Sequence, residues 1–271
     1  MKKHYTSIIS QGFGRFASKA FSKPIQHLIN HGYVKLMGLD MSEFADPNSY
    51  PTLNKLFTRA LVRPRMIIED EDIMISPVDA LVTDFGTITQ GRAYQIKGME
   101  YSLEQLFGQH HQSATQAVEG GIFLNLYLSP KDYHRYHAPN HLKIRSLTHI
   151  PGKLYPVNFP LLRNMPNLFI ENERVIIECE DRQGRTFVMA LIGALNVGKM
   201  IITFEPKVKT NSDINQSQHY TYENLWLEKG ELFGWFEMGS TILLFSQKDS
   251  FLPEVAINQN VKFSQPIGVI K

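Results

Sequence analysis

The chain has 271 residues, of which 43% are hydrophobic and 20% charged, so it is neither disordered nor of low complexity and can bury the core of one large domain. The formal net charge of +2 divides into a basic head, residues 1–39 with six Lys/Arg and no Asp/Glu, and a body with a net charge of −4. We expect neither a transmembrane helix nor a secretory signal, because no apolar stretch approaches the ~20 residues that span a bilayer.

The head is predicted to form two short amphipathic helices. Apolar residues recur at helical spacing on one face of the first, namely Phe13, Phe16, Ala17, Ala20 and Phe21. Pro24 favours a new helix start, and Ile25, Leu28 and Ile29 follow it as a second stripe. Basic amphipathic helices suit an anionic membrane surface, and they also suit packing on the protein's own core. The pattern alone leaves both interpretations open.

The rest of the chain is predicted to be mainly β. After a turn at residues 46–51, Leu53, Leu56, Phe57 and Ala60 mark a short helix, and a capping-box pattern at 102–105 marks another. Predicted strands cover 81–89, 122–129, 142–150, 174–180, 186–192, 199–204, 231–237, 240–246 and 260–270. The single cysteine, Cys179, lies in one of them and is predicted to be a buried thiol. The fold class is therefore α+β: a mainly antiparallel β core with an N-terminal amphipathic helical arm.

Three segments carry candidate catalytic residues. Asp79 follows a proline turn, His134 and His137 lie three residues apart, and Gly239-Ser240-Thr241 begins an apolar strand. Asp, His and Ser would supply the orienting acid, base and nucleophile of a charge-relay triad. Each segment also has a structural interpretation: a turn acceptor, a histidine pair that lacks a third metal ligand, and the start of a strand.

Further short motifs share their order and spacing with phosphatidylserine decarboxylases, and the sequence resembles that family from about Asp40 to Lys271. The motifs are Asp40-Met41-Ser42-Glu43, Ser49-Tyr50-Pro51-Thr52-Leu53-Asn54, Leu56-Phe57-Thr58-Arg59, Ser76-Pro77-Val78-Asp79, Lys97-Gly98, Tyr101-Ser102-Leu103, Leu128-Ser129-Pro130, Tyr133-His134-Arg135, His137, Pro151-Gly152, Val157-Asn158, Asn172-Glu173-Arg174-Val175 and Gly239-Ser240-Thr241. The sequence departs from the family pattern at Met238, where Leu is usual, at Ala80, where Gly is common, and in the turn at 140–142.

The resemblance implies a proenzyme that cuts itself between Gly239 and Ser240. Ser240 would attack the Gly239 carbonyl, His137 would take the serine proton, and Asp79 would hold the imidazole in the right tautomer. The resulting ester would break by β-elimination and leave a covalent pyruvoyl group derived from Ser240. We expect a helical, membrane-associating segment at 1–62 and a β-rich catalytic domain at 63–271. The domain would be cut into a β chain, 1–239, and an α chain, 240–271, which stay together as a heterodimer.

The resemblance also implies the reaction. The pyruvoyl group would form a Schiff base with the amine of phosphatidylserine, release CO2 and yield phosphatidylethanolamine, with His134 as the candidate proton donor. No metal and no nucleic acid would take part, and the enzyme would lie peripherally on the cytoplasmic side of the cell membrane. Lys97, Lys131 and Arg135 are candidates for gripping the headgroup phosphate.

Three alternatives stay open, as does a higher homo-oligomer. The first is a pyruvoyl-dependent decarboxylase of a soluble amino compound, and the second is a catalytically inactive lipid-binding relative. The third is a metal-dependent lyase built on the two histidines.

Overall fold

The structure is a computed structural model that describes residues 5–96, 98–195, 199–237 and 240–271. The α-helices are α1 (Tyr5–Ser18), α2 (Lys23–Met37), α3 (Leu53–Phe57), α4 (Leu103–Phe107), α5 (Gln112–Ala117), α6 (Phe159–Asn164) and α7 (Leu168–Glu171). The strands are β1 (Ile73–Ile75), β2 (Ala80–Thr87), β3 (Arg92–Ile96), β4 (Met99–Ser102), β5 (Ile122–Leu128), β6 (Arg135–His137), β7 (Leu142–Ile150), β8 (Arg174–Glu180), β9 (Thr186–Gly193), β10 (Met200–Ile202), β11 (Gln218–Leu227), β12 (Leu232–Phe236), β13 (Ser240–Ser246), β14 (Phe251–Pro253), β15 (Asn260–Val261) and β16 (Pro266–Ile270).

An eight-stranded antiparallel sheet organises the body, in the order β11-β7-β8-β9-β13-β5-β2-β15. Strand β13 lies in its interior and pairs with β9 on one side and β5 on the other. Two three-stranded sheets, β1-β16-β14 and β10-β12-β6, and the hairpin β3-β4 complete the β structure of the described residues. The predicted α+β class with an antiparallel β core is confirmed.

Both faces of the large sheet are buried at its centre, and β9 and β13 are apolar for most of their length. On β13, Ile242 and Leu244 face one core together with residues of the two smaller sheets. Leu243 and Phe245 face a second core, which contains side chains of α4, α5 and α7. A sheet covered on both faces produces a continuous apolar run instead of alternation, which is the pattern of residues 242–245.

The helices of the head have a small core of their own. Ala17 of α1 and Tyr33 of α2 are buried there with Leu56 and Phe57 of α3. Phe13 is partly buried against the same cluster. Part of the apolar face of α1, which could have contacted a membrane, therefore packs against the protein's own core. Large apolar side chains elsewhere on the two helices are exposed, namely Ile8, Ile9, Phe16, Ile25, Leu28 and Leu36.

The strand predictions are most accurate where the segment is apolar, and they are wrong where a turn interrupts the segment. Strands β7, β8 and β13 have their predicted bounds. The single strand predicted at 260–270 is wrong, because a turn that gives Ser264 a φ of 77° separates β15 from β16. The cap at Ser102 is confirmed, since its hydroxyl accepts the Gln105 N–H. Cys179 is buried, as predicted.

Candidate active site

The site is built around the first residue of β13. The backbone of Ser240 pairs with Leu128 at the end of β5 and with Gly193 at the end of β9. Strand β12 ends at Phe236, and β13 begins at Ser240. Gly239 and the side chain of Ser240, which the sequence predicts as the cleavage site, lie outside the described part of the chain.

A tight turn follows Leu128, next to the residue that pairs with Ser240. Its Asp132 carboxylate accepts hydrogen bonds from the Ser129 N–H at 2.7 Å and from the Ser129 hydroxyl at 2.8 Å. The Asp132 N–H closes the turn on the Ser129 carbonyl at 3.0 Å. Burial raises the pKa of Asp132, and the bonds from Ser129 oppose that rise.

The ring of His134 is fully buried directly after this turn. Its Nδ1–H donates to the Asp132 carbonyl at 2.8 Å, which leaves the lone pair on Nε2. That Nε2 is buried and has no hydrogen-bond partner among the described residues. The ring packs on Phe57 with 4.0 Å between centroids, and burial lowers the pKa of His134 to about 3. His134 is therefore neutral near pH 7 and would have to gain a proton on Nε2 before it could donate one from there.

His137 is a neutral base in the same neighbourhood. Its Nδ1–H donates to the Gly230 carbonyl at 2.8 Å, and its Nε2 accepts the Tyr133 hydroxyl at 3.0 Å. The Phe263 ring stacks on the imidazole with 3.6 Å between centroids. Burial lowers the pKa of His137 to about 4. The contacts at Nδ1 fix the tautomer whose lone pair lies on Nε2.

Asp79 lies close to His137 without a hydrogen bond between the two side chains. Its carboxylate binds the Arg65 guanidinium at 2.5 and 3.0 Å and accepts the Phe263 N–H at 2.8 Å. The backbone completes the connection, since the His137 N–H donates to the Pro77 carbonyl at 2.9 Å. The structure thus brings Asp79 and His137 together through Phe263, and the Gly230 carbonyl occupies the position on Nδ1 that the sequence assigned to Asp79.

The sequence analysis did not identify two arginines that lie at the candidate site. Arg65 forms a bidentate pair with Glu43 at 2.9 Å as well as with Asp79. Arg59 is fully buried, and its Nη2 donates to the Lys131 carbonyl at 2.7 Å. Arg59 belongs to a motif that carried the family resemblance, so the sequence could have identified it as a candidate site residue. Nothing in the sequence reveals what Arg65 contacts, because its partners lie 14 and 22 residues away.

Of the three residues proposed for the headgroup phosphate, two lie in the described part of the chain. Lys97 lies outside the described residues. The Nε of Arg135 donates to the Thr58 carbonyl at 3.0 Å, and its guanidinium lies 5.4 Å from the Trp235 ring centroid. Lys131 is exposed.

Comparison with known proteins decides the family. A family model described as phosphatidylserine decarboxylase matches residues 53–269, most of the chain. The chain belongs to the phosphatidylserine decarboxylase family. The resemblance seen in the motifs is therefore confirmed.

Curated relatives match this chain over nearly its whole length. Proteins named phosphatidylserine decarboxylase proenzyme from Helicobacter pylori (strain ATCC 700392 / 26695) and Campylobacter jejuni are each 41% identical to it. The first match covers 97% of both chains, and the second covers 96% of this chain and 97% of the relative. A protein of the same name from Marinobacter nauticus is 34% identical over 96% of this chain and 92% of its own.

Two further properties bear on how this family member works. Among residues 5–96, 98–195, 199–237 and 240–271, no group of three or more His, Cys, Asp or Glu side chains could hold a metal ion. No helix in the same ranges is both long and apolar enough to cross a bilayer.

Proposed function

We propose that the chain is the proenzyme of a pyruvoyl-dependent phosphatidylserine decarboxylase that cuts itself between Gly239 and Ser240. The observation that carries the proposal is the near full-length relationship to proteins named phosphatidylserine decarboxylase proenzyme. The position of Ser240 supports it, because β5 and β9 hold its backbone on both sides beside the turn that leads to the two histidines.

Self-cleavage begins when the Ser240 hydroxyl attacks the Gly239 carbonyl and gives its proton to His137. A neutral imidazole is needed for this step, and burial keeps His137 neutral with its lone pair on Nε2. The Tyr133 hydroxyl occupies that lone pair in the uncut chain. Tyr133 therefore either relays the proton or turns aside when the serine attacks.

Asp79 completes the proposed charge relay by positioning the base. Its carboxylate holds the backbone of Phe263, whose ring lies flat on His137. The Arg65 guanidinium pairs with this mostly buried carboxylate and compensates its charge. Asp79 is thus a positioning residue for His137 in the uncut chain.

The ester between residues 239 and 240 then breaks by β-elimination. The 1–239 chain leaves as a carboxylate, and hydrolysis of the remaining dehydroalanine releases ammonia and leaves pyruvoyl at the start of the 240–271 chain. This group supplies an electron sink for the electrons that loss of CO2 sets free. The surroundings fit such a group, because the orphaned Nε2 of His134 is a buried proton acceptor next to the Ser129–Asp132 turn. His134, once protonated, would return a proton to the substrate carbon.

The lipid substrate requires the enzyme to reach a membrane surface, and we assign that role to the head. Leu28 and Leu36 of α2 are 72% and 79% exposed, and Ile25 lies exposed on the same helix. The basic residues of the head would meet anionic headgroups of the cytoplasmic leaflet while these side chains enter the interface. A decarboxylase of a soluble amine would have no use for such a surface.

Intact-mass analysis of Ser240→Ala tests the proposal. We expect one uncut chain of about the full 31.1 kDa with no decarboxylase activity, whereas the wild type should give two chains. His137→Ala and Asp79→Ala should also remain uncut. Ser113→Ala, which changes an exposed serine of α5, is the control and should be cut normally. A Ser240→Ala protein that still separates into two chains on a denaturing gel would contradict the assignment of Ser240 as the nucleophile.

A further inference from the structure

Helix α1 turns one polar side towards the body, while Ala17 and Phe13 pack in the small core of the head and other apolar residues are exposed. Gln11, Gly14, Arg15 and Ser18 recur at helical spacing and line a cleft against the body. On other sides of the same helix, Ile8 is 57%, Ile9 52% and Phe16 46% exposed. A helix that only covers a soluble protein shows the opposite arrangement. The polar side of α1 therefore faces something other than an apolar core.

The cleft beneath α1 has the size of a ligand site. Its volume is about 400 Å³, within the range of small-molecule pockets. The wall opposite α1 consists of Lys199, Asn211, Ser212, Asp213 and Glu237. A hydrogen bond joins the two walls, since Gln11 Nε2 donates to the Asn211 carbonyl at 3.1 Å.

The cleft adjoins the cleavage site. Glu237 lies in its wall three residues before Ser240, so the two Cα atoms can be separated by at most about 11 Å. The Glu237 N–H donates to the Lys199 carbonyl at 2.8 Å, which fixes Lys199 beside it. A ligand in the cleft thus lies within reach of the group that forms at residue 240.

The charges in the cleft match a zwitterionic ligand. Arg15 and Lys199 have no ion-pair partner in the part of the chain that the structure describes, and both are exposed to the cleft. The carboxylates of Asp213 and Glu237 line the same space. A phosphoserine headgroup carries a phosphate and a carboxylate for the two cations and an ammonium group for an acid.

We infer that this cleft binds the phosphoserine headgroup of the lipid, with Arg15 and Lys199 as its anion-binding residues and Glu237 beside its amine. The inference rests on the proposed function. The orientation follows from the geometry: Glu237 is nearest in sequence to Ser240, where the amine must react, and the apolar side of α1 lies where the acyl chains would leave. One helix would thus contact the bilayer and grip the headgroup.

Two measurements test the cleft, one kinetic and one of binding alone. The first uses dihexanoyl phosphatidylserine as a monomer, so that membrane attachment plays no part. Arg15→Gln and Lys199→Gln should each raise KM about tenfold or more with little change in kcat, because a charge-assisted hydrogen bond is lost. The second is calorimetric titration of wild type and variants with glycerophosphoethanolamine, which carries the phosphate and amine but cannot be decarboxylated. Because this probe lacks the carboxylate, its Kd should rise by a similar factor only in the variant that has lost the phosphate-binding cation.

Matched variants separate the cleft from general charge effects. Lys55→Gln removes one exposed charge from α3 outside the cleft, and Lys207→Gln removes one from an exposed site on the loop between β10 and β11. Cleft variants that match these two in both KM and Kd would overturn the inference, as would equally tight binding of inorganic phosphate. A wild type that binds glycerophosphoethanolamine in an Arg15-dependent way but does not decarboxylate phosphatidylserine would instead overturn the proposed function and leave the cleft standing.

Discussion

At the scale of single residues, the site depends on an arginine between two carboxylates. Arg65 is 11% exposed and pairs with Asp79, which is 14% exposed, and with Glu43. The hydrogen bonds from Arg65 lower the pKa of Glu43, and this carboxylate stabilises the fold at pH values above its ordinary pKa. Removing Arg65 would leave Asp79 mostly buried without its cation, which is costly. Because Asp79 also holds the backbone of Phe263, whose ring stacks on His137, a change at Asp79 should also affect the position of this proposed base.

Arg65→Gln should therefore slow self-cleavage about as strongly as Asp79→Asn, by at least roughly tenfold, because breaking a mostly buried pair costs more than 1.4 kcal/mol. The fraction of cut chain is measured by intact mass over time after synthesis. Arg63→Gln, two residues away on an exposed side chain, is the control. Normal cleavage of Arg65→Gln alongside blocked cleavage of Asp79→Asn would show that Asp79 acts on His137 without help from Arg65.

The sequence suggests candidate catalytic residues but not the contacts that these residues make. Asp79, His134, His137 and Ser240 follow from motifs, and the first three lie in one neighbourhood. The partner of His137 Nδ1 is a carbonyl 93 residues away, at Gly230. A backbone carbonyl has no signature in sequence, because every residue carries one, so the hydrogen bond that fixes the tautomer could not be predicted.

At the scale of elements, the head is attached to the segment that carries the histidines. The Tyr33 hydroxyl of α2 donates to the Pro130 carbonyl at 3.2 Å, and Arg59, directly after α3, holds the Lys131 carbonyl. Arg135, which lies in the segment with the histidines, donates a hydrogen bond to the carbonyl of Thr58, directly after α3. The helices proposed to contact the membrane therefore also fix the turn beside Ser240. A shift of the head would move that turn.

The exposed apolar side chains of α2 should dominate binding to anionic vesicles. Leu28→Ser and Leu36→Ser should each weaken it about tenfold, because burial of a leucine side chain contributes roughly 1.5–3 kcal/mol. Both side chains are exposed, so folding and self-cleavage should not change. Co-sedimentation with vesicles measures the bound fraction, and Leu252→Ser, an exposed apolar site on β14, is the control. Equal binding by all three variants and the wild type would remove α2 from the membrane surface.

The apolar periodicity of the head predicts its two helices, but it predicts only part of which helix faces are buried and which are exposed. Periodicity marks an apolar face on α1, yet Ala17 lies in the core while Phe16 is 46% exposed. Both are apolar, and a bilayer and a protein core select the same residue types, so the sequence cannot separate the two faces. Strand β11 was missed for a related reason: it is an edge strand with many exposed polar residues and lacks an apolar run.

At the scale of the whole molecule, the segment that follows the proposed cut is interwoven with the segment before it. In residues 240–271, β13 lies between β5 and β9, β15 pairs with β2, and β16 pairs with β1. Side chains of β13 and β16 also enter the main core. Cutting one peptide bond removes none of these contacts, so the two chains should remain one particle until they unfold.

Unfolding of the cut protein should therefore depend on protein concentration. It releases two chains, so its apparent free energy of unfolding should rise by about 1.4 kcal/mol for each tenfold increase in concentration. Uncut Ser240→Ala releases one chain and should show no such dependence. Urea midpoints of both proteins, measured at concentrations differing by about a hundredfold, compare the two directly. A fully cut wild type whose midpoint does not move with concentration, or whose 240–271 chain separates in native buffer, would contradict the interwoven architecture as the force that holds the mature protein together.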